Sequence, residues 1–335
     1  MMTNAVPRAG TIEQLAAAVY PSFAMLAGLQ LDVFTPLARG ALSAEQIAQA
    51  IGVGVVKLKP LLYALVAAGL LAVEDEVFSN TAEASEFLVR GRPTYIGMRH
   101  HAYLRRWRSM LQVGECIRTG SPQGRLNYAT MSKDELESFY RGTYSEATAT
   151  GRYLLGHWDF SRYRRLADIG GGSGGLAITI AQACPGLRAT IVDLPTTTPI
   201  TQRYVEDAGM AERVRVQAAD VVKAPPPGSY DVAVLRGLLI VLTPDKARRT
   251  IQNMNRSLEP GGAIFIVGWI VDDSRVSPSE VVAYNLHFVN SLDEGQLYTE
   301  GELRSWLAEA GFMEVERERV TTADGTGFIV PRKPV

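Results

Sequence analysis

From residue 164 onward, short apolar runs alternate with amphipathic stretches. The pattern predicts strands at 164–169, 189–193, 213–217, 230–235 and 262–268, with helices at 174–184, 196–208 and 244–258. Strands separated by helices imply a parallel sheet covered on both faces, a doubly wound α/β unit. Residues 11 to about 90 read mostly helical instead. In "LSAEQIAQAIG", Ser43 is the expected N-cap, Gln46 closes a capping box and Gly52 is the stop. Leu58, Leu61, Leu62 and Leu65 then share helical spacing up to Gly69. Pro60 confines that helix to a start only a few residues earlier, because its ring clashes inside an established helix. "LLAVEDEVFSNT" reads as two short strands around an acidic turn. Residues 95 to 160 are helical and aromatic-rich, and are expected to bridge the two patterns and to contribute to a small-molecule acceptor pocket. The Arg and His residues of "HHAYLRRWRSML" read as a solvated face. The expected organisation is therefore 1–95, a helical linker 96–160, and an α/β domain 161–335.

Two helices followed by a β-wing is the winged-helix order. A DNA reader needs polar donors on the second helix, which offers Lys57 and Lys59 and then mostly apolar side chains, so dimerisation or packing is the favoured role. Charge agrees: 34 basic against 35 acidic residues give a net −1, and no global field recruits nucleic acid or an anionic membrane. Cys116 and Cys184 lie far apart without CxxC spacing, which indicates neither a disulfide framework nor a metal site and suits a reducing cytoplasm. "MMTNAVPRAGTIEQLAAAVYPSF" has one early Arg and no uninterrupted apolar run of spanning length, so neither a signal peptide nor a membrane anchor is expected.

The chemistry concentrates in "LADIGGGSGGLAITIAQACPGLRATIVDLP", residues 166 to 195. Gly170, Gly172 and Gly175 fit GxGxxG between a strand and a helix, and Asp193 ends the next strand, where it can accept from two ribose hydroxyls. Gly174 and Gly175 read equally well as helix–sheet packing. The pattern admits a dinucleotide or S-adenosylmethionine, and three features favour the second. Asp168, just before the glycines, would repel a pyrophosphate but attract an ammonium. Asp220, in "VQAAD", is placed to accept from an adenine amino group. "SLEPGGAIFIVGWIVDD" puts a Pro-Gly-Gly turn between a helix and a strand.

With "DIGGGSG" followed by "VDLP", the chain resembles the S-adenosylmethionine-dependent small-molecule O-methyltransferases of plant caffeate and bacterial antibiotic pathways. The likeness covers nearly the whole chain. It implies an N-terminal winged-helix dimerisation region, a homodimer, a Rossmann-like catalytic domain and an aromatic small-molecule acceptor. It also implies that Asp168, Gly170 and Gly172 line the methionine end, Asp193 binds ribose, Asp220 contacts adenine and Arg236 in "VLRGLL" flanks the cofactor. The other reading of Arg236 is a surface cation at a strand end.

One departure stands out. Where the family carries Leu-His-Asp-Trp, with His as base, this chain reads "LRGLLIVLTPD", and Ile240 occupies the His position. Methyl transfer rests mainly on in-line proximity, and a base adds about two to four orders of magnitude for a phenol. A substitute is sought in "VSPSEVVAYNLHFVNSLDEG". Ser277, Pro278 and Glu280 signal a helix start, and Tyr284 and His287, three apart, share a face. His287 is expected to act as acid–base or acceptor-orienting residue and Tyr284 to shape the pocket, with Asp293 and Glu294 as a weaker reserve. Oxygen is the favoured acceptor atom; Ile240 keeps carbon and nitrogen open. The competing classes are a nicotinamide oxidoreductase, a cofactor-sensing regulator, and an enzyme using the cofactor's charge for another reaction.

Overall fold

Ser43 caps a helix as its sequence requires. Its Oγ accepts from Gln46 N–H, and the Gln46 side chain accepts from Ser43 N–H at 2.8 Å. The computed structural model describes residues 9–92, 94–128, 130–318 and 326–335. They fall into two units, one running to Arg105 and the other from Arg106 to Val335.

The first unit contains α1 (Gly10–Ala17), α2 (Val19–Gln30), β1 (Leu42–Ser43), α3 (Ala44–Ile51), α4 (Val55–Ala67), β2 (Leu71–Glu74), β3 (Val77–Asn80) and α5 (Ala82–Phe87). The expected Leu58, Leu62 and Leu65 stripe packs with Phe34, Ile47 and Phe78 into one apolar cluster. Pro60 is the sixth residue of α4 and so lies inside the helix, just past the first turn where the clash argument would have kept it. Helices α3 and α4 meet at 110°, the bend of a helix–turn–helix, and β2 and β3 form the wing. The wing turns on Asp75 and Glu76, both at positive φ.

The N-terminal expectation needs amending. Helices α1 and α2 run on through Pro21, which falls in the first turn of α2 where its missing N–H costs nothing. The stretch Gly10–Gln30 is thereby long and apolar enough, by length and composition, to cross a membrane; only 22% of its apolar window is buried.

The second unit begins inside α6 (His100–Met110) and continues with α7 (Val113–Thr119) and α8 (Lys133–His157). The alternating part follows: β4 (Arg165–Ile169), α9 (Gly175–Ala183), β5 (Arg188–Asp193), α10 (Thr198–Asp207), β6 (Val214–Ala218), β7 (Tyr230–Arg236), α11 (Pro244–Ser257) and β8 (Leu258–Trp269). Then come α12 (Ser279–Ser291), α13 (Glu300–Glu309), β9 (Met313–Glu318) and β10 (Thr326–Arg332). The seven-stranded sheet has the order β6-β5-β4-β7-β8-β10-β9, parallel from β6 to β8, with β10 antiparallel to both its neighbours. Period-two alternation divides the core. Leu166, Ile191, Val234 and Phe265 face α8 and α9, whereas Ile169, Val192, Leu235 and Ile264 face α11 and α13. Each such side chain contributes about 1.5–3 kcal/mol on burial.

Two local expectations differ from the structure. Ser277 does not cap α12: its Oγ donates to Asp272 at 2.8 Å, and Pro278 stands at the N-cap without a side-chain acceptor. The Pro-Gly-Gly segment lies within β8 rather than before it. Tyr230 pairs with Leu258 and Val232 already with Ala263, so the glycines form a bulge.

Candidate functional site

The C-terminal end of β4 delivers Asp168 into the glycine turn. Asp168 is fully buried, and its Oδ2 has no hydrogen-bond partner. Burial pushes its carboxyl up to about 7, against the downward pull of the Ala177 backbone and the Arg236 guanidinium, while the Asp193 charge adds to the rise. Gly172 follows at φ 56°, a conformation costly for side chains, and an added Cβ would lie 2.7 Å from Tyr140 Cε1. Its N–H donates to Asp193 Oδ2 at 2.8 Å, and Leu194 N–H donates to Oδ1 at 2.7 Å. Burial raises the Asp193 carboxyl while these donors oppose the rise. Gly170 N–H donates to Val192 O, which ties the turn to β5.

Asp220 follows β6. Ala219 N–H donates to Asp193 O at 2.9 Å, which sets the two strand ends side by side. The Asp220 carboxylate accepts from Val222 N–H at 3.1 Å and pairs with Lys223 at 3.1 Å. Arg236 ends β7 and is no free surface cation: its Nε donates to Thr150 Oγ1 at 3.0 Å, and its Nη2 lies 3.6 Å from Glu146. Asp168, Gly170, Gly172, Asp193, Asp220 and Arg236 thus gather at the C-terminal ends of β4 to β7, where doubly wound sheets hold ligands.

Tyr284 and His287 form a second group on α12. Their ring centroids are 5.5 Å apart, and Tyr284 also meets Trp269 at 5.0 Å and Phe288 at 5.2 Å. His287 Nδ1 lies 3.1 Å from Ser291 Oγ, one turn on. Ile240 sits with Phe288, Trp269 and Tyr284 in one apolar cluster and is 8% exposed. The two groups adjoin through the segment after β7. An added Cβ on Gly170 would lie 3.1 Å from Leu238 Cδ1, and Ile240 is two residues further on. Tyr128 supplies a second link, packing on the α12 cluster and also on the cluster of Tyr140, which stands over Gly172. Asp293 and Glu294 are engaged elsewhere, with Arg125 at 2.8 Å and Lys246 at 2.5 Å.

The model of the O-methyltransferase domain matches residues 118–313, and that of the O-methyltransferase dimerisation domain matches residues 13–90. The chain belongs to the O-methyltransferase family. This O-methyltransferase is 30% identical to the tetracenomycin polyketide synthesis 8-O-methyl transferase TcmO of Streptomyces glaucescens, over 97% of each chain. It is 29% identical to the 3-hydroxy-5-methyl-1-naphthoate 3-O-methyltransferase of Streptomyces sahachiroi, over 95% of this chain and 93% of the relative. The solved structure of the S-adenosylmethionine-dependent methyltransferase SibL superposes with a TM-score of 0.83 at 26% identity, covering 98% of this chain and all of that one. The enzyme is S-adenosylmethionine-dependent, and the nicotinamide reading of the glycine turn falls away.

The residues of the methyltransferase fit that cofactor. A cationic ligand suits a turn bordered by two carboxylates, Asp168 buried with an orphaned oxygen and Asp193 half-buried, and a pyrophosphate does not. Sequence reasoning gave the linker that contains α8 a part in the acceptor pocket and missed its contact with the glycine turn and Arg236. Tyr140 covers Gly172, its OH is 3.2 Å from Thr197 Oγ1, and burial pushes its phenol far up. Thr201 Oγ1 donates to Gly172 O at 2.5 Å, and Glu146 and Thr150 hold Arg236. The stripe Tyr140, Tyr144, Ala147, Gly151, Leu154 is visible in the sequence as a helix face, but only the fold says what it faces.

Proposed function

We propose that this enzyme methylates a hydroxyl group on an aromatic or polycyclic small molecule, as a cytoplasmic homodimer with neither nucleic acid nor membrane as partner. The adjacency of the α12 aromatic group to the glycine turn through Leu238 and Ile240 carries the reading. One named relative is a 3-O-methyltransferase of a hydroxynaphthoate and the other an 8-O-methyl transferase of polyketide synthesis, which supports the reading. S-adenosylmethionine, when bound, supplies an electrophilic methyl group on a sulfonium. Asp168, Gly170 and Gly172 would hold its methionine end, Asp193 its ribose, Asp220 its adenine, and Arg236 would steady the wall of the cradle through α8.

His287 is the base in this proposal. In the tautomer whose Nδ1–H donates to Ser291 Oγ, Nε2 keeps a lone pair that can take the acceptor's hydroxyl proton. Tyr284, Trp269 and Phe288, packed against one another, would form one apolar wall beside the acceptor ring, and Ile240 would help exclude water. The lack of a base at Ile240 favours, as a second reading, a carbon or nitrogen acceptor that needs less proton removal. The exposed apolar residues Ile12, Leu15, Val19, Tyr20 and Phe23, on or beside α1 and α2, support a dimer surface.

Calorimetric titration with S-adenosylmethionine, with NAD as control, is the first test. Saturable binding of the former alone is expected, and binding of NAD instead would overturn the proposal. In an acceptor screen, His287→Ala is expected to lower kcat on phenols about 100-fold with cofactor affinity unchanged. Unchanged turnover would remove His287 from the chemistry.

A further inference from the structure

Arg106 belongs to the helix whose basic residues the sequence suggested were a solvated face. The structure places it elsewhere. Its Cζ lies 5.0 Å from the centroid of the Tyr284 ring, and the side chain is half-buried. A buried lock fixes this arrangement: Asn290 Nδ2 donates to Ser109 O at 2.7 Å and to Ser109 Oγ at 2.9 Å, and Asn290 is fully buried. Ser109 is one turn beyond Arg106 on α6, and Asn290 is one turn beyond His287 on α12, so the lock holds the Arg106 turn against the Tyr284–His287 turn.

Many of the second unit's arginines have a carboxylate. Arg125, Arg203, Arg236, Arg275 and Arg304 pair with Asp293, Glu137, Glu146, Glu302 and Glu300. Among the described residues no carboxylate pairs with Arg106, which lies on the Tyr284 ring instead. A guanidinium lying on an aromatic face keeps its in-plane N–H fork free, and that fork matches a carboxylate bidentately. A half-buried cation without a counter-ion, beside aromatic rings and a histidine, suits a ligand that brings the anion itself.

We propose that the acceptor is an aromatic hydroxy acid whose carboxylate is held by Arg106, which orients the ring so that its hydroxyl faces His287. The inference rests on the reading that α12 lines the acceptor site. Arg106 then selects anionic over neutral ring systems.

The test uses the full-length protein loaded with S-adenosylhomocysteine and titrated with 4-hydroxybenzoate, 6-hydroxy-2-naphthoate and the methyl ester of each. A charged hydrogen-bonded pair corresponds to roughly ten- to a hundredfold in affinity. At least one acid is expected to bind the wild type that much more tightly than its ester. Arg106→Met should abolish the preference by weakening the acid alone, Arg106→Lys should retain part of it, and S-adenosylhomocysteine affinity should stay constant. Equal binding of acid and ester, a preference for the ester, equal weakening of both by Arg106→Met, or no binding of either acid overturns the inference. Should Arg106→Met fail to fold, the wild-type comparison and Arg106→Lys decide. Failure of S-adenosylhomocysteine itself to bind would instead sink the functional reading. Methylation of neutral phenols that depends on His287 but is indifferent to Arg106 would leave that reading standing and remove this one.

Discussion

Asp168 shows what a single buried carboxylate does to both stability and recognition. Its native value, about 7, stands above the 3.8 of an unconstrained aspartate, so between those values only the folded chain keeps the proton. Folding takes up a proton in that window, and this group's contribution to stability falls as pH rises from about 4 toward 7, then levels off. Asp168→Asn carries no such dependence. Thermal unfolding of the ligand-free protein should therefore show a small Tm difference between variant and wild type at pH 4, widening in the variant's favour toward pH 8. A constant difference across that range would mean that Asp168 is ionised in the native state throughout. The same carboxylate, disfavoured alone, is stabilised by a cationic ligand, so the variant that gains stability should bind S-adenosylmethionine more weakly.

At the scale of elements, the wing turn offers a case where backbone strain and an ion pair compete. Glu74 and Val77 pair directly, leaving Asp75 and Glu76 as a two-residue loop at φ 49° and 63°. That is the conformation of a type I′ turn, which favours Asn-Gly. Glu76 also meets Lys59 at 2.7 Å, but the side chains are 74% and 40% exposed, so solvent screens the pair. Relief of left-handed strain outweighs both that loss and the entropy of glycine, and Glu76→Gly is expected to stabilise the chain by about 0.5 kcal/mol in urea unfolding. A net loss would show that the ion pair holds the wing. The elements legible in the sequence were those announced by a local pattern: the Ser43–Gln46 capping box, the alternating strands, and the glycine turn followed by Asp193 at the end of the next strand. Where a partner outside the pattern decided, near or far, reading failed. Ser277 gives its hydroxyl to Asp272, the Pro-Gly-Gly segment is absorbed into a bulge opposite Tyr230, and Arg106 turns from solvent to Tyr284. In the site, the loop residues carried a pattern, whereas Tyr140 and Thr201 act through contacts spanning tens of residues.

For the whole molecule, the apolar stretch Gly10–Gln30 bears on assembly. Leu15 is 70% and Phe23 48% exposed in a single chain, more than isolated surface residues require, and they fall within the matched dimerisation domain. Leu15→Lys combined with Phe23→Glu is expected to shift the protein from dimer toward monomer in light scattering, without changing the far-ultraviolet spectrum. A monomeric wild type, or partition of the wild type into phospholipid vesicles, would assign that face to something other than a second copy. The sheet order has a further consequence, for the order in which the chain can fold. Strand β10 lies between β8 and β9, and the Lys333 ammonium reaches Asn255 O and Leu258 O at 2.8 and 2.7 Å. During synthesis, β8 therefore waits with one bare edge until residues 326–332 have left the ribosome, and bare edges recruit other strands. The helices and wing of the first unit, built from neighbouring segments, can form long before. A nascent chain arrested before residue 326 should consequently hold a folded first unit and an unfinished, aggregation-prone second one.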